Sequence, residues 1–444
     1  MNLERIKKSM VQMILEFSVP SIIAMVLTSM ITIVDGFFIG NYVGKEGIAA
    51  VNLGLPVLYL YLALGVMVAV GGMAIAGMNL GAGEVKKSNN VFNQTMVTTM
   101  TLTVLLSTLC YVFFNPIMNF LRAEGEVAVY FKQYYRIMLL AFPIMIANSA
   151  LGMFIRGEGN PQFFMKASLI NVAGNFILDY VFVKCLKLGV GGVASASLIS
   201  VALELLCLIY YIVRKSTVYK FGKFRFSKQD LKSMILNGSS EFINEMSMCI
   251  SMFAYNWVIL KYVGVDGVAA FTIVGYASYL FSMILLGFGQ GASPLISFTY
   301  GAQEKRLSID IRKKTNLFVF GIGVVFMVLM LLGANWYSHV FVNSEAVAAM
   351  ANSGIIIFVF SFLFSGINTI TSFYFTSIGK ALESAIISSA RGLVILLICI
   401  LLFPMLWGMT GVWLVGVVTE VITVLISYLF IYKNDKTVTQ QILR

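Results

Sequence analysis

Apolar runs, each near the roughly 20 residues that a helix needs to cross a bilayer, recur along the whole of this 444-residue chain. That feature leaves few choices of fold. Hydrophobic residues make up 59% and charged residues only 11% of the sequence, where a soluble domain would carry about a quarter charged. So few charges cannot cover a water-facing surface, so most of the outer surface must face lipid. A lipid-spanning barrel would need alternating segments of ~10 residues, and the sequence has none. The reading is an all-α integral membrane protein.

Twelve spans are predicted, at roughly 14–40, 50–79, 91–114, 131–154, 164–183, 190–213, 234–261, 268–299, 315–334, 347–375, 384–404 and 410–432. Pro20, Pro56, Pro143 and Pro294 are candidate kinks, because each removes a backbone hydrogen bond. The first apolar run is too long for a cleaved signal and lacks a small-residue cleavage site, so it reads as a span. The net charge of +11 is not a nucleic-acid footprint, since the basic residues sit in short loops. Arg5, Lys7, Lys8, Lys86, Lys87, Arg156, the stretch from Arg214 to Lys232, Lys305 to Lys314, Lys380, Lys433 and Lys436 would share one side. By the positive-inside rule that side is cytoplasmic, with both termini on it. A multi-pass protein of a prokaryotic cytoplasmic membrane is expected. Five cysteines without metal spacing read as packing residues, and the lone histidine, His339, as a surface residue of an outer loop.

The chain is also duplicated. A constant offset of 220 residues aligns Tyr42-Val43-Gly44 with Tyr262-Val263-Gly264, Tyr59-Leu60 with Tyr279-Leu280, and Gly71 with Gly291. The same offset aligns Gly81-Ala82 with Gly301-Ala302, Asn148 with Asn368, and Gly159 with Gly379. Each repeat holds an even number of spans, so the repeats are parallel, related by an axis along the membrane normal. The predicted organisation is an N-terminal six-helix bundle over 1–213, a basic linker over 214–233 and a C-terminal six-helix bundle over 234–444. Two pseudosymmetric bundles around one cavity suit a rocking transporter. No filter motif or ligand domain suggests a channel or receptor.

Charges inside the membrane cost at least ~2.5–3.5 kcal/mol each, so each needs a reason. Asp35 in the first span and Asp179 in the fifth fall at similar depth. Asn175 and Asn171 continue the face of Asp179 at helical spacing, and Asn148 adds a polar group from the fourth span. Together they read as a polar, cation-coupling pocket in the N-terminal bundle, the bland alternative being hydrogen-bonded structural polars. At offset 220, Tyr255 faces Asp35 and Cys399 faces Asp179, so the second repeat lacks the acidic pair. It carries Glu241 and Glu245 one turn apart on the seventh span, with Asn244 beside them, which suits a bulky cation. A solvated helix entrance is the alternative there. Arg391 and Glu420 are placed to form a structural ion pair.

These residues resemble the multidrug and toxic compound extrusion (MATE) transporters over almost the whole chain. Phe17-Ser18-Val19-Pro20 through Val34-Asp35-Gly36 is similar to that family's first helix, with its proline and aspartate. Gly157-Glu158-Gly159-Asn160-Pro161 resembles its loop after helix four, and Asn175-Phe176-Ile177-Leu178-Asp179 its fifth-helix motif. The resemblance implies a DinF/MepA-like exporter of amphipathic organic cations, not an enzyme, with a proton or sodium as coupling ion and no other cofactor. Asp35, Asn148, Asn175, Asp179 and Tyr134 would form its coupling site, Glu245, Glu241 and Asn244 would meet substrate, and Pro20 would bend. The acidic residue of NorM-like proteins on helix ten is absent, which favours protons. A monomer in lipid, without nucleic-acid partners, is expected. The rivals are a lipid-linked oligosaccharide flippase of the same superfamily, disfavoured by the mostly acidic intramembrane charge, and a non-transporting receptor or channel.

Overall fold

A computed structural model describes residues 1–342 and 344–442. Among the described residues all regular structure is helical. Helices Met10–Tyr42, Lys45–Gly81, Val85–Val112, Gly125–Glu158, Pro161–Cys185 and Gly189–Arg214 are long and apolar enough to cross a membrane. So are Val265–Gly301, Lys305–Phe341 and the run Ala381–Gln441, while Glu345–Phe358 and Ser361–Ser377 form a further span bent by 53°. Lys228–Tyr262 is of spanning length at 35 residues, but two glutamates and several amides lower its hydropathy. The 61-residue run is two spans. Arg391 and Glu420 within it form an ion pair of 2.6 Å, although 29 residues of straight helix would hold them about 44 Å apart. The chain folds back at Gly408, whose φ of 56° and ψ of −133° break the helix. Twelve spans result among the described residues, numbered here in chain order.

The helices run through three of the four prolines. Pro20, Pro143 and Pro294 lie inside continuous helices. Pro56 instead sits in the first turn of Leu55–Gly81, where its missing N–H costs nothing, and the second span breaks just before it at Gly54. The candidate kink at Pro56 is therefore a helix start.

The duplication is visible in backbone detail. Gly44 and Gly264 both cap their loops at positive φ, 107° and 95°. Glu84 and Glu304 repeat one conformation, at φ −83° with ψ 60° and 58°. Where the two bundles touch, backbone approaches backbone. A Cβ on Gly71 would lie 1.9 Å from the carbonyl oxygen of Met234, and one on its counterpart Gly291 would lie 2.6 Å from Cα of Ser18. Gly81 and Gly301 repeat the motif against Phe298 and Met78. Only glycine permits such approach. These contacts join spans one and two to spans seven and eight, and all lie in the half of each helix nearer the chain termini.

The linker is not a loose basic loop. Asn89, Asn90, Asn93 and Gln94 of the third span hold its backbone from Lys220 to Ser227 through paired amide contacts. Asn90 donates to the Arg225 carbonyl at 2.9 Å and accepts from its N–H at 2.7 Å. Gln94 does the same for Ser227, at 2.8 and 3.1 Å. Glu158 accepts from the N–H groups of Thr217 and Val218 and from Ser216 Oγ. The linker is therefore fastened to the N-terminal bundle. Two charges expected in loops are also built into the helices. Arg156 is 1% exposed, donating to Gln290 at 2.9 Å and stacking on Phe164. Arg312 pairs with Asp435 at 3.0 and 2.8 Å over the ring of Tyr374.

Candidate functional site

In the N-terminal bundle, Ser168, Asn171, Asn175 and Asp179 repeat every three or four residues on the fifth span and so form one stripe. The upper part of the stripe meets Asp35. Asn175 Nδ2 donates to Asp35 Oδ1 at 3.2 Å, and Ser197 Oγ of the sixth span donates to Oδ2 at 3.1 Å. Asn175 also donates to Ser197 at 3.3 Å, closing a three-helix ring. Asp179 is fully buried, in contact with Asp35, and neither of its oxygens has a donor. Tyr134 is buried beside the pair, its ring edge-on to Tyr135. Two carboxylates face each other with no fixed cation among the described residues. Just past Asp179 the fifth span widens into a π-helical turn, Tyr180–Cys185, a distortion that helices often carry at functional sites.

Asn148 does not belong to this ring. Its amide donates to the Val201 carbonyl at 2.8 Å and to Glu204 Oε2 at 3.1 Å. Asn171, at 2.7 Å, and Ser168, at 3.0 Å, complete the grip on Glu204. Ser197 and Glu204 lie seven residues apart on the sixth span, about 10 Å along its axis. The polar pocket expected around Asp35 is thus two clusters, and Asn148 is held in the second by a glutamate that the reading of the sequence passed over.

The C-terminal bundle contains a cavity of about 310 Å³, lined by spans seven, eight, ten, eleven and twelve. Glu241, Asn244 and Glu245 all face it, together with Arg391 and Glu420. Glu241 is buried, with Oε1 lacking a donor. Glu420 is occupied. Arg391 Nε donates to its Oε1 at 2.6 Å, and Asn368 Nδ2 donates to Oε2 at 2.8 Å. The π-helical turn Ala390–Val394 carries Arg391, and the bend of the tenth span places Phe358 and Ser361 on the cavity wall. Where the N-terminal bundle has Asp35 and Asp179, this bundle has Tyr255 and Cys399 inside an apolar cluster.

The MatE family pattern matches residues 20–181 and 242–401, one segment in each repeat. The chain belongs to the MatE family. It is similar to the multidrug export protein MepA of Staphylococcus haemolyticus, with 25% identity covering 98% of this chain and 96% of the relative. To the MepA of Staphylococcus aureus strain RF122 the identity is 26%, covering 96% and 94%. Among solved structures, the MATE crystallised in complex with MaL6 superposes with a TM-score of 0.92 at 24% identity, over 96% of this chain and 97% of that one. The outward-facing multidrug resistance MATE transporter of the MOP superfamily superposes at 0.91 with 23% identity, over 96% of both. Among the described residues of this MatE protein, no three His, Cys, Asp or Glu side chains gather to hold a metal ion. Its five cysteines are free. His339 lies exposed in the last turn of the ninth span, beside Glu345.

Proposed function

We propose that this MatE protein is a secondary active exporter that antiports amphipathic organic cations against protons by alternating access. The observation that carries the proposal is the charge of the C-terminal cavity. Three carboxylates line it against one guanidinium, and that guanidinium is already spent on Glu420. Glu241 and Glu245 are left to attract a cation, while Met248, Met283, Phe358 and Phe373 on the same wall offer an adaptable apolar surface. The names of the staphylococcal relatives support a multidrug cargo.

Coupling would run through Asp35 and Asp179, which face each other, Asp179 with no donor to either oxygen. A proton on either supplies the missing hydrogen bond, and its loss restores repulsion, so protonation distinguishes two arrangements of the first span. That is the differential interaction an exchange cycle requires. On the same helix, Ser18 packs against Gly291 at the bundle interface and Pro20 follows two residues later. A bend at Pro20 would shift that contact. With both termini in the cytoplasm, as the basic loops suggest, the interlocked end is the cytoplasmic one and this conformation faces outward. The protein acts as a monomer in the lipid bilayer of the cytoplasmic membrane, with no cofactor besides its coupling ion.

The test is export from proteoliposomes under a pH gradient or a sodium gradient imposed alone. A pH gradient is expected to drive a cationic dye and not its neutral analogue. Export driven by sodium alone, or equal flux of both dyes, would refute the reading.

A further inference from the structure

The cluster around Glu204 has a counterpart in the other bundle that shows what it lacks. At the offset of 220, Asn148 corresponds to Asn368 and Asn171 to Arg391. Both asparagines of the first pair do the same work: Asn148 Nδ2 reaches Glu204 Oε2, and Asn368 Nδ2 reaches Glu420 Oε2. The second pair differs. Where Arg391 brings a guanidinium to Glu420 at 2.6 Å, Asn171 brings only a neutral amide to Glu204 at 2.7 Å.

We infer that Glu204, with Asn148 and Asn171, is a second site for an exchangeable proton, taking the place that Arg391 fills permanently beside Glu420. The inference rests on the reading that this protein couples export to protons. Three observations carry it. Glu204 is 5% exposed, and its contacts from the fourth and fifth spans are the neutral donors Asn148, Ser168 and Asn171. Among the described residues no charged side chain faces it: Asp35 of the first span lies beyond Ser197, about 10 Å along the sixth helix, and Arg156 of the fourth span is engaged with Gln290. An unneutralised carboxylate at such a place is costly. Finally, Asn148 Oδ1 and Asn171 Oδ1, in side chains only 4% and 5% exposed, have no donor. A cluster of acceptors with two orphans is short of hydrogens, and a proton on Glu204 adds one. The step balances simply, carboxylate plus proton giving carboxylic acid.

Position gives the site a use. The stripe from Asp179 through Asn175 and Asn171 to Ser168 descends the fifth span toward the end that bears the termini. Glu204 lies on that route, below the Asp35–Asp179 pair, and would hold a proton on its way between the pair and that end.

Infrared difference spectroscopy of the full-length protein, titrated over pH, reads the protonated carboxyl directly through its C=O stretch. Glu204→Gln is nearly isosteric, and it should remove one pH-sensitive carboxylic-acid band while the Asp35–Asp179 signal remains. Glu204→Asp should keep a band at a shifted frequency, which guards against misreading a folding defect. Asn171→Arg, which copies the C-terminal arrangement, should also abolish the band, because the guanidinium replaces the proton. A Glu204→Gln spectrum that superposes on the wild type would overturn the proposal. So would a band that survives in Asn171→Arg, or one that sodium bleaches at constant pH, since the site would then take sodium. Asp35→Asn should retain the Glu204 band, so loss of gradient-driven export in that variant bears on the coupling reading alone.

Discussion

The two bundles share a skeleton and differ in how they settle their buried charge. In the C-terminal bundle Glu420 holds Arg391 and Asn368, and the positions matching Asp35 and Asp179 are a tyrosine and a cysteine in an apolar cluster. In the N-terminal bundle Asp35 and Glu204 are held by amides and hydroxyls alone, and Asp179 has no donor to either oxygen. A fixed guanidinium makes a carboxylate permanent and leaves nothing to exchange. Neutral donors leave room for a cation that comes and goes. On the function proposed above, the C-terminal repeat takes the cargo and the N-terminal repeat the coupling ion.

The sharpest way to break this contrast is to remove the fixed charge. Arg391→Leu leaves Glu420 buried and uncompensated, and a loss of about 3–5 kcal/mol is expected, read as reduced stability in thermal or denaturant unfolding. In the same assay Asn171→Ala should cost only about 1 kcal/mol, the worth of one neutral hydrogen bond. Equal losses would mean that both glutamates are settled in the same way.

The shared skeleton makes the next expectation. Gly71→Val and Gly291→Val should each separate the bundles at the interlocked end, with an overpacking cost of about 1–3 kcal/mol. Spin labels across that interface would report a longer distance for both. An effect of only one of the two would show that the pseudosymmetric contacts are not equivalent. Smallest is the effect on cargo. Glu245→Gln should weaken a cationic substrate about tenfold, close to 1.4 kcal/mol, and leave a neutral amphipath unchanged in a binding titration. Equal weakening of both would make Glu245 a structural residue.

Much of this was legible in the sequence because a membrane enforces period and length. The spans, the offset of 220 residues and the Asn175–Asp35 proximity follow from hydropathy, register and helical spacing. Glu204 was not legible, for a physical reason. It stands alone in an apolar run, and its counterpart Glu420 lies 216 residues on, four short of the common register, so aligning the repeats hides the match. The usable signals were the spacing of Ser197, Ser200 and Glu204 on one face and the alignment of Asn171 with Arg391. Arg156 misled differently. It looked like a loop charge because a basic residue near a helix end usually is one, but here the fourth span continues to Glu158 and its last turn packs against spans five and eight. The third-span amides that bind the linker gave no periodic signal, since their partners are backbone atoms.

The most direct test of the central claim, that the N-terminal carboxylates carry the coupling proton, is export of a cationic substrate from proteoliposomes under an imposed pH gradient by wild type and Asp35→Asn, with substrate binding measured in parallel. Asp35→Asn should insert and bind substrate near wild-type affinity while its gradient-driven export falls to the level seen without a gradient, and Asp179→Asn should change in the same direction. Wild-type export by Asp35→Asn would contradict the account and leave Asp35 a structural polar residue.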